Sequence, residues 1–307
     1  KLNRVLIIKH GSLGDIIFAL PVMLSIHKHY KDYTIDILTE KKYFNFLKKS
    51  NYFTNYIGDD RSNKFNIKIK NLNKLLFNNY DLIIDLQNSS RTSAYNFFFK
   101  IFSKAKISSS RKFSDYRYHI PPQGTETTTQ GLFNQIKLIN IHQVKKISYE
   151  WLNTKLDIKH NNNIVLFIPG VSKKGNYKQW EHKNFGALAK YLENNNYLIC
   201  VVGTSDDVSS IMHIKNSCKK IIDYTDKSPP EVIYSLAKIS KLVITNDTGP
   251  GHIASLTNKN ILWVANDNKI TKANIPNTSN NYKLLSHNIK NISLNYAIKF
   301  IEKNNLL

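Results

Sequence analysis

Cysteine is scarce in this 307-residue chain: it occurs only at Cys200 and Cys218. Two distant thiols cannot build a dense disulfide framework or a four-ligand zinc site, so both read as reduced residues of a cytosolic protein. No apolar run approaches the ~20 residues that a membrane-spanning helix needs. The start, Lys1-Leu2-Asn3-Arg4, carries no initiator Met and lacks the long apolar region and cleavage site of a secretory signal. The expectation is a chain that stays in the cytosol. The lack of helix-turn-helix, zinc-finger and RNP-like signatures weighs against a nucleic-acid reader. The lack of Gly-x-Gly-x-x-Gly and of Gly-Lys-Ser/Thr weighs against a dinucleotide oxidoreductase and excludes a Walker A loop.

Acidic residues are also in short supply. Forty-four Lys and Arg face 22 Asp and Glu, a formal charge of +22. Such a field attracts polyanions, among them nucleic acid, anionic lipid headgroups and phosphorylated glycolipids. A lysine-rich solvated surface, favoured by the same bias that supplies many Asn and Ile, explains the number equally well. With 41% hydrophobic and 11% aromatic residues, the composition is that of a folded chain, long enough for two domains.

The pattern along the chain is strand, turn, helix, repeated. Val5-Leu6-Ile7-Ile8 is a short apolar run closed by Lys9-His10-Gly11-Ser12-Leu13-Gly14-Asp15. Ile16, Ile17, Leu20 and Leu24 then recur at helical spacing, with Pro21 expected in the early turns of that helix. Ile35-Asp36-Ile37-Leu38 and Tyr80-Asp81-Leu82-Ile83-Ile84-Asp85-Leu86 read as further strands. Residues 156–163 are polar and read as a linker. Ile164-Val165-Leu166-Phe167-Ile168 then opens a second series, with a helix over 184–193. Strands Leu198-Ile199-Cys200-Val201-Val202, Leu242-Val243-Ile244-Thr245 and Ile261-Leu262-Trp263-Val264 follow, and a terminal helix begins at Leu294. Alternation of this kind predicts parallel sheets covered by helices. The expected layout is a Rossmann-like domain over 1–158, a second over 159–290, and a helix over 291–307 that returns towards the first. Ligands of such sheets bind at the carboxyl ends of the strands, here in a cleft between the two domains.

Three segments could carry chemistry there. Gly11-Ser12-Leu13-Gly14-Asp15 puts a carboxylate at a helix start, where its default role is to cap the helix. Asn246-Asp247-Thr248-Gly249-Pro250-Gly251-His252 is a glycine-rich turn from strand to helix. Amides of Thr248, Gly249 and Gly251 there suit a pyrophosphate, Pro250 suits a first helical turn, His252 could donate to phosphate, and Asp247 could accept from a sugar hydroxyl. Pro169-Gly170-Val171-Ser172 with Lys178-Gln179-Trp180 offers a lysine and a hydroxyl to a diphosphate.

In this order and spacing, these segments resemble the lipopolysaccharide heptosyltransferases of glycosyltransferase family 9. The resemblance rests on the residues from Val5 to Ile16 with Leu20-Pro21, on Tyr80 to Gln87, on Pro169-Gly170 with Lys178-Gln179-Trp180 and Asn184-Phe185, and on Asn246 to His252. Tyr116-Arg117-Tyr118-His119-Ile120 also looks like a family segment on the acceptor side. The resemblance implies an inverting α/β enzyme of GT-B fold, needing neither metal nor cofactor. It would move L-glycero-D-manno-heptose from its ADP-sugar to the lipid A–Kdo inner core, working at the cytoplasmic face of the inner membrane as a peripheral protein. Asp15 matches the family's proposed general base, Lys178 the lysine beside the donor diphosphate, and Asp247 to His252 the donor turn. Gly14 and Ser172 fall on the donor side. Ser12, Arg91, Arg111 and Arg117, with the lysines between 104 and 112, fall on the acceptor side, facing the acidic groups of the glycolipid.

The chain departs from the family pattern after Val264, where Ala265-Asn266-Asp267-Asn268 replaces a Gly-Pro-Thr turn. It departs again after Trp180, where Glu181 replaces Pro, and in the lengthened basic loop over 173–177. These changes flank the donor side and leave the nucleotide and sugar open. The competing readings are a family 9-like transferase with another nucleotide sugar and a catalytically silent glycolipid- or nucleotide-binding protein.

Overall fold

The computed structural model describes residues 3–62, 72–158 and 163–307. Part of the expected linker, Asn161-Asn162 included, lies outside these residues. The chain divides into two compact units, Lys1–Ser148 and Tyr149–Leu307.

The first unit is a six-stranded parallel sheet. Its strands are β1 (Arg4–Ile8), β2 (Thr34–Thr39), β3 (Asn55–Gly58), β4 (Leu82–Asp85), β5 (Lys106–Ser109) and β6 (Tyr116–Arg117). They lie in the order β3-β2-β1-β4-β5-β6, the Rossmann order. Helices α1 (Leu13–His29), α2 (Phe44–Lys48), α3 (Ser90–Phe102) and α4 (Thr128–Lys137) connect and cover it. Val5 to Ile8 and Ile83 to Ile84 are fully buried, as a sheet covered on both faces requires. Pro21 lies in the middle of α1 rather than in its early turns, because the helix starts three residues before Ile16. Pro21 lacks the amide that would bond the Ile17 carbonyl, and Ser25 Oγ donates to the Pro21 carbonyl at 2.9 Å.

The second unit repeats the plan. Strands β7 (Ile164–Ile168), β8 (Leu198–Gly203), β9 (Ile221–Thr225), β10 (Leu242–Thr245), β11 (Asn260–Asn266) and β12 (Asn281–Ser286) run parallel in the order β12-β11-β10-β7-β8-β9. Renumbered within the unit, that is again the Rossmann order. Its helices are α5 (His182–Asn194), α6 (Val208–Ser217), α7 (Pro230–Ile239), α8 (Gly249–Ala254), α9 (Lys269–Asn274) and α10 (Leu294–Lys303).

The second unit begins at Tyr149, because the short turn Glu150–Leu152 is tied to α7: Lys238 Nζ donates to Glu150 at 2.5 Å, and Ser235 Oγ accepts from the Thr154 amide at 2.8 Å. The terminal helix α10 packs on the core of the second unit. Ala297 and Ile301 are buried in that unit's core, and Tyr191 OH donates to Glu302 at 2.7 Å. Each large apolar side chain so buried contributes ~1.5–3 kcal/mol. No helix among the described residues is long and apolar enough to cross a membrane.

Candidate functional site

In a Rossmann sheet the strand order reverses between the first and fourth strands, and the crevice outside their carboxyl ends is the ligand position. In the first unit these strands are β1 and β4. Gly11 to Asp15 follows β1, and Leu86-Gln87 follows β4.

The turn after β1 is held from β4. The Gln87 Oε1 accepts from the His10 amide at 3.1 Å and the Gly11 amide at 3.4 Å, and the buried Lys9 Nζ donates to the Leu86 carbonyl at 3.0 Å. Gly11 has φ +133°, and a Cβ there would stand 2.6 Å from the Tyr43 ring, so only glycine fits. Ser12 is the N-cap of α1, and Asp15 Oδ2 accepts from its amide at 2.8 Å and its hydroxyl at 3.0 Å. Asp15 is partly exposed and Ser12 is exposed. Burial depresses the Lys9 pKa, while the nearby charges of Asp15 and Asp85 oppose the fall.

The acceptor-side arginines differ in their partners and exposure. Arg91 is drawn into a buried cluster, where Nε and Nη2 donate to the two oxygens of Asp59 at 2.9 and 2.7 Å. His10 Nε2 and Tyr95 OH donate to the same carboxylate at 2.9 and 2.7 Å. Burial alone would raise the Asp59 pKa, but these donors hold it well below the usual carboxylate range. With its guanidinium so engaged, Arg91 is held in place by Asp59. Arg111 is half-buried and donates to Ser90 Oγ at 3.0 Å, whereas Arg117, on the edge strand β6, is exposed.

In the second unit the reversal lies between β7 and β10. Pro169-Gly170 follows the one and Asn246 to His252 the other. The buried Asn246 ties these ends together: Nδ2 donates to the Pro169 carbonyl at 2.9 Å, and Oδ1 accepts from the Trp180 amide at 3.3 Å. Trp180 is buried against Phe185 and donates from Nε1 to the Ile292 carbonyl at 2.7 Å. This anchors the segment that carries Lys178. Lys178 Nζ reaches Asp247 Oδ2 at 2.8 Å, and His252 Nε2 donates to Asp247 Oδ1 at 3.1 Å. Burial pushes the Asp247 pKa up, but His252 and Lys178 outweigh it and hold it at about 2.

The glycine-rich turn itself differs from a row of open amides. The Gly251 amide donates to Thr248 Oγ1, the cap of α8, at 3.3 Å. A Cβ on Gly251 would lie 2.7 Å from Thr245 Oγ1 and 3.0 Å from the Trp263 ring. That glycine therefore serves close packing of the turn on β10 and β11. Thr248, Gly249 and Pro250 are half-buried, and Ser172 is exposed where it caps the turn Lys173–Lys178.

A cavity of about 470 Å³ is lined by Val171, Asn176, Gln179, Trp180, Glu181, His182, Asp207, Ser209, Ser210 and Lys290; it shares the Gln179-Trp180 segment that follows Lys178, but its lining includes neither Lys178 nor Asp247 nor His252. Its size suits a small organic ligand. The departure after Val264 acquires a structural reason here. Asn266 Nδ2 donates to the Tyr177 carbonyl at 2.8 Å and Oδ1 accepts from the Ile289 amide at 2.9 Å, so this residue pins the lengthened loop. Asn268 caps α9. Among the described residues no group of three His, Cys, Asp or Glu is placed to hold a metal ion.

Sequence reasoning named Asp15, Lys178 and the turn from Asp247 to His252. It missed what holds them: Lys9, Gln87, Asn246, Trp180 and Asn266. Gln87 was legible only as part of a motif, and nothing in the spacing reveals that it bonds the turn after β1.

Two Rossmann-like units, each with a polar turn at its reversal point, give the chain the GT-B fold. The description glycosyltransferase family 9 (heptosyltransferase) matches residues 69–294, well over half of the sequence. The chain belongs to that family. It is 22% identical over 274 residues to lipopolysaccharide heptosyltransferase 3 of Escherichia coli, covering 80% of this chain and 78% of that protein. A shorter stretch, 113 residues at 26% identity, matches lipooligosaccharide heptosyltransferase 2 of Haemophilus ducreyi; it covers 34% of this chain and 31% of that protein. The fold is that of E. coli heptosyltransferase WaaC with ADP-2-deoxy-2-fluoro heptose, with a TM-score of 0.78, 15% identity, and coverage of 98% of this chain and 99% of that one.

Proposed function

We propose that the protein transfers heptose from ADP-L-glycero-D-manno-heptose to the lipid A–Kdo core of lipopolysaccharide, with inversion and without a metal. The observation that carries this reading is the Lys178–Asp247–His252 array at the β7/β10 reversal. The solved relative bound to an ADP-heptose analogue supports the choice of donor.

In the proposed reaction Asp15 takes the proton of an acceptor hydroxyl as its oxygen bonds to the anomeric carbon. The bond from that carbon to the diphosphate breaks, and its electron pair leaves with ADP. Lys178 neutralises the charge developing on the diphosphate, with the amides of Thr248 and Gly249 and the hydroxyl of Ser172 beside it. Gly14 allows the donor close approach. Asp247 orients Lys178, and His252 orients Asp247, a positioning role for the histidine. Ser12, Arg111 and Arg117 face the acidic acceptor. Asp15 suits the base because its carboxylate is partly exposed and tethered through Oδ2 to its own helix cap.

Because the acceptor is a glycolipid, the protein works as a peripheral protein at the cytoplasmic face of the inner membrane. The test is incubation with ADP-heptose and a heptose-less lipid A–Kdo acceptor, followed by product mass. A mass increase of one heptose supports the reading; no transfer, with no donor binding by calorimetry, sinks it.

A further inference from the structure

Helix α3 is apolar on two sides. Thr92, Tyr95, Asn96 and Phe99 turn inward and are buried. Ala94, Phe97, Phe98, Ile101 and Phe102 recur at three- and four-residue spacing on the outer side. There Phe97 is 38% exposed, Ile101 54% and Phe102 66%, and the loop after β5 adds Phe113 at 45%. The rings form one cluster: Phe97 lies 5.0 Å from Phe113 and 5.5 Å from Phe98, which stacks on Phe102 at 6.3 Å. Scattered apolar residues on a surface are ordinary, but a contiguous aromatic patch marks an interaction site.

The surroundings indicate its partner. Lys100, Lys104, Lys106 and Lys112 are all exposed around the patch, and the carboxylate among them is Asp115, which pairs with Lys100 at 2.6 Å and Lys106 at 3.5 Å. Four lysines against one aspartate leave a surplus of three positive charges. Protein–protein interfaces favour aromatic residues, phenylalanine included, but are depleted in lysine, so the lysines are what distinguish this patch. Phenylalanine and isoleucine ringed by lysine fit the boundary between anionic headgroups and acyl chains.

We propose that the outer face of α3, with Phe113, docks the protein on an anionic lipid surface. Phe97, Ile101, Phe102 and Phe113 enter the acyl boundary while Lys104 and Lys112 meet headgroup phosphates. Tyr95 and Phe99 hold the helix from beneath, so the docking side chains are presented on a rigid element. The inference deepens the reading of the protein as a glycolipid transferase and rests on it only for the purpose that docking serves.

The test is cosedimentation of the full chain with phosphatidylcholine vesicles containing phosphatidylglycerol, and with phosphatidylcholine vesicles alone. Binding should be strong to the first, weak to the second, and reduced by salt. Phe97→Ser combined with Phe102→Ser should weaken partitioning at least about tenfold, and Lys104→Glu combined with Lys112→Glu should weaken it by about tenfold or more. Both pairs are exposed, so unchanged Tm is expected; if the double aromatic variant is destabilised, Ile101→Ser alone replaces it. Lys299→Glu with Lys303→Glu, both exposed on α10 of the second unit, should change binding little. Equal loss from that second-unit pair would show attraction by overall charge and overturn the proposal. So would sedimentation velocity showing, without vesicles, a dimer abolished by Phe97→Ser with Phe102→Ser. Transfer to a deacylated acceptor in solution should be unchanged by the aromatic pair. Wild-type protein that binds vesicles but transfers nothing to that acceptor would sink the transferase reading and leave the docking surface standing.

Discussion

At the reversal point of the first sheet, Asp15 is partly exposed and bonded to Ser12, the cap of its own helix. At the matching point of the second, Asp247 is buried between Lys178 and His252. The same strand order thus presents two carboxylates in opposite conditions. A carboxylate held at about 2 by two cationic partners is a poor proton acceptor and a good anchor. Asp15, tied locally to its own cap and partly exposed, is open to an incoming hydroxyl. On the proposed function, the first unit then supplies the base and the second positions the donor's charge.

Asp15→Asn should break the comparison most sharply. Turnover is expected to fall about 10²–10⁴-fold, with donor affinity measured by calorimetry unchanged; retained turnover would return Asp15 to a capping role alone. Asp247→Asn should show the opposite pattern, weakening donor binding and lowering stability in urea titration. Its stabilising contribution is present above the unfolded carboxyl pKa near 4 and is lost as pH falls towards 2, because the folded form is the more acidic. The wild type should therefore lose roughly 2 kcal/mol across that window that Asp247→Asn does not lose. Parallel pH profiles would erase the distinction. Gly251→Ala should cost about 1–2 kcal/mol by urea unfolding, since its Cβ meets Thr245 and Trp263. The smallest effect is expected at Gln87→Met, which frees the turn carrying Asp15. A kcat reduced about fivefold, about 1 kcal/mol, with donor KM unchanged, would show that the turn is positioned from β4.

The central strands of both sheets were legible because each is a short, wholly buried apolar run bounded by glycine or a polar turn. The outer strands were not. β5 reads Lys-Ile-Ser-Ser, β6 is only Tyr116–Arg117, and β9 has no fully buried residue. Such strands are defined by the neighbour they pair with, a long-range fact that local pattern does not carry. The same limit applies at the sites. Asp15, Lys178 and Asp247 announce themselves as polar groups at strand ends. Yet the pairing of Arg91 with Asp59 joins residues 32 apart, so an arginine that looked available for an acceptor is occupied inside the unit. Asn266 seemed a departure from pattern until its two hydrogen bonds showed it holding a loop.

The burial of Trp180 and Trp263 has a practical consequence. The chain's three tryptophans, at 151, 180 and 263, all fall in the second unit. Selective excitation of indole therefore reports on that half of the molecule alone, while circular dichroism reports on both. Unfolding curves that coincide would mean the two halves melt as one, and curves that separate would give each its own midpoint. Trp180 also lines the cavity, so a change in the same emission on adding ADP-heptose is expected if the donor binds there, with no label added.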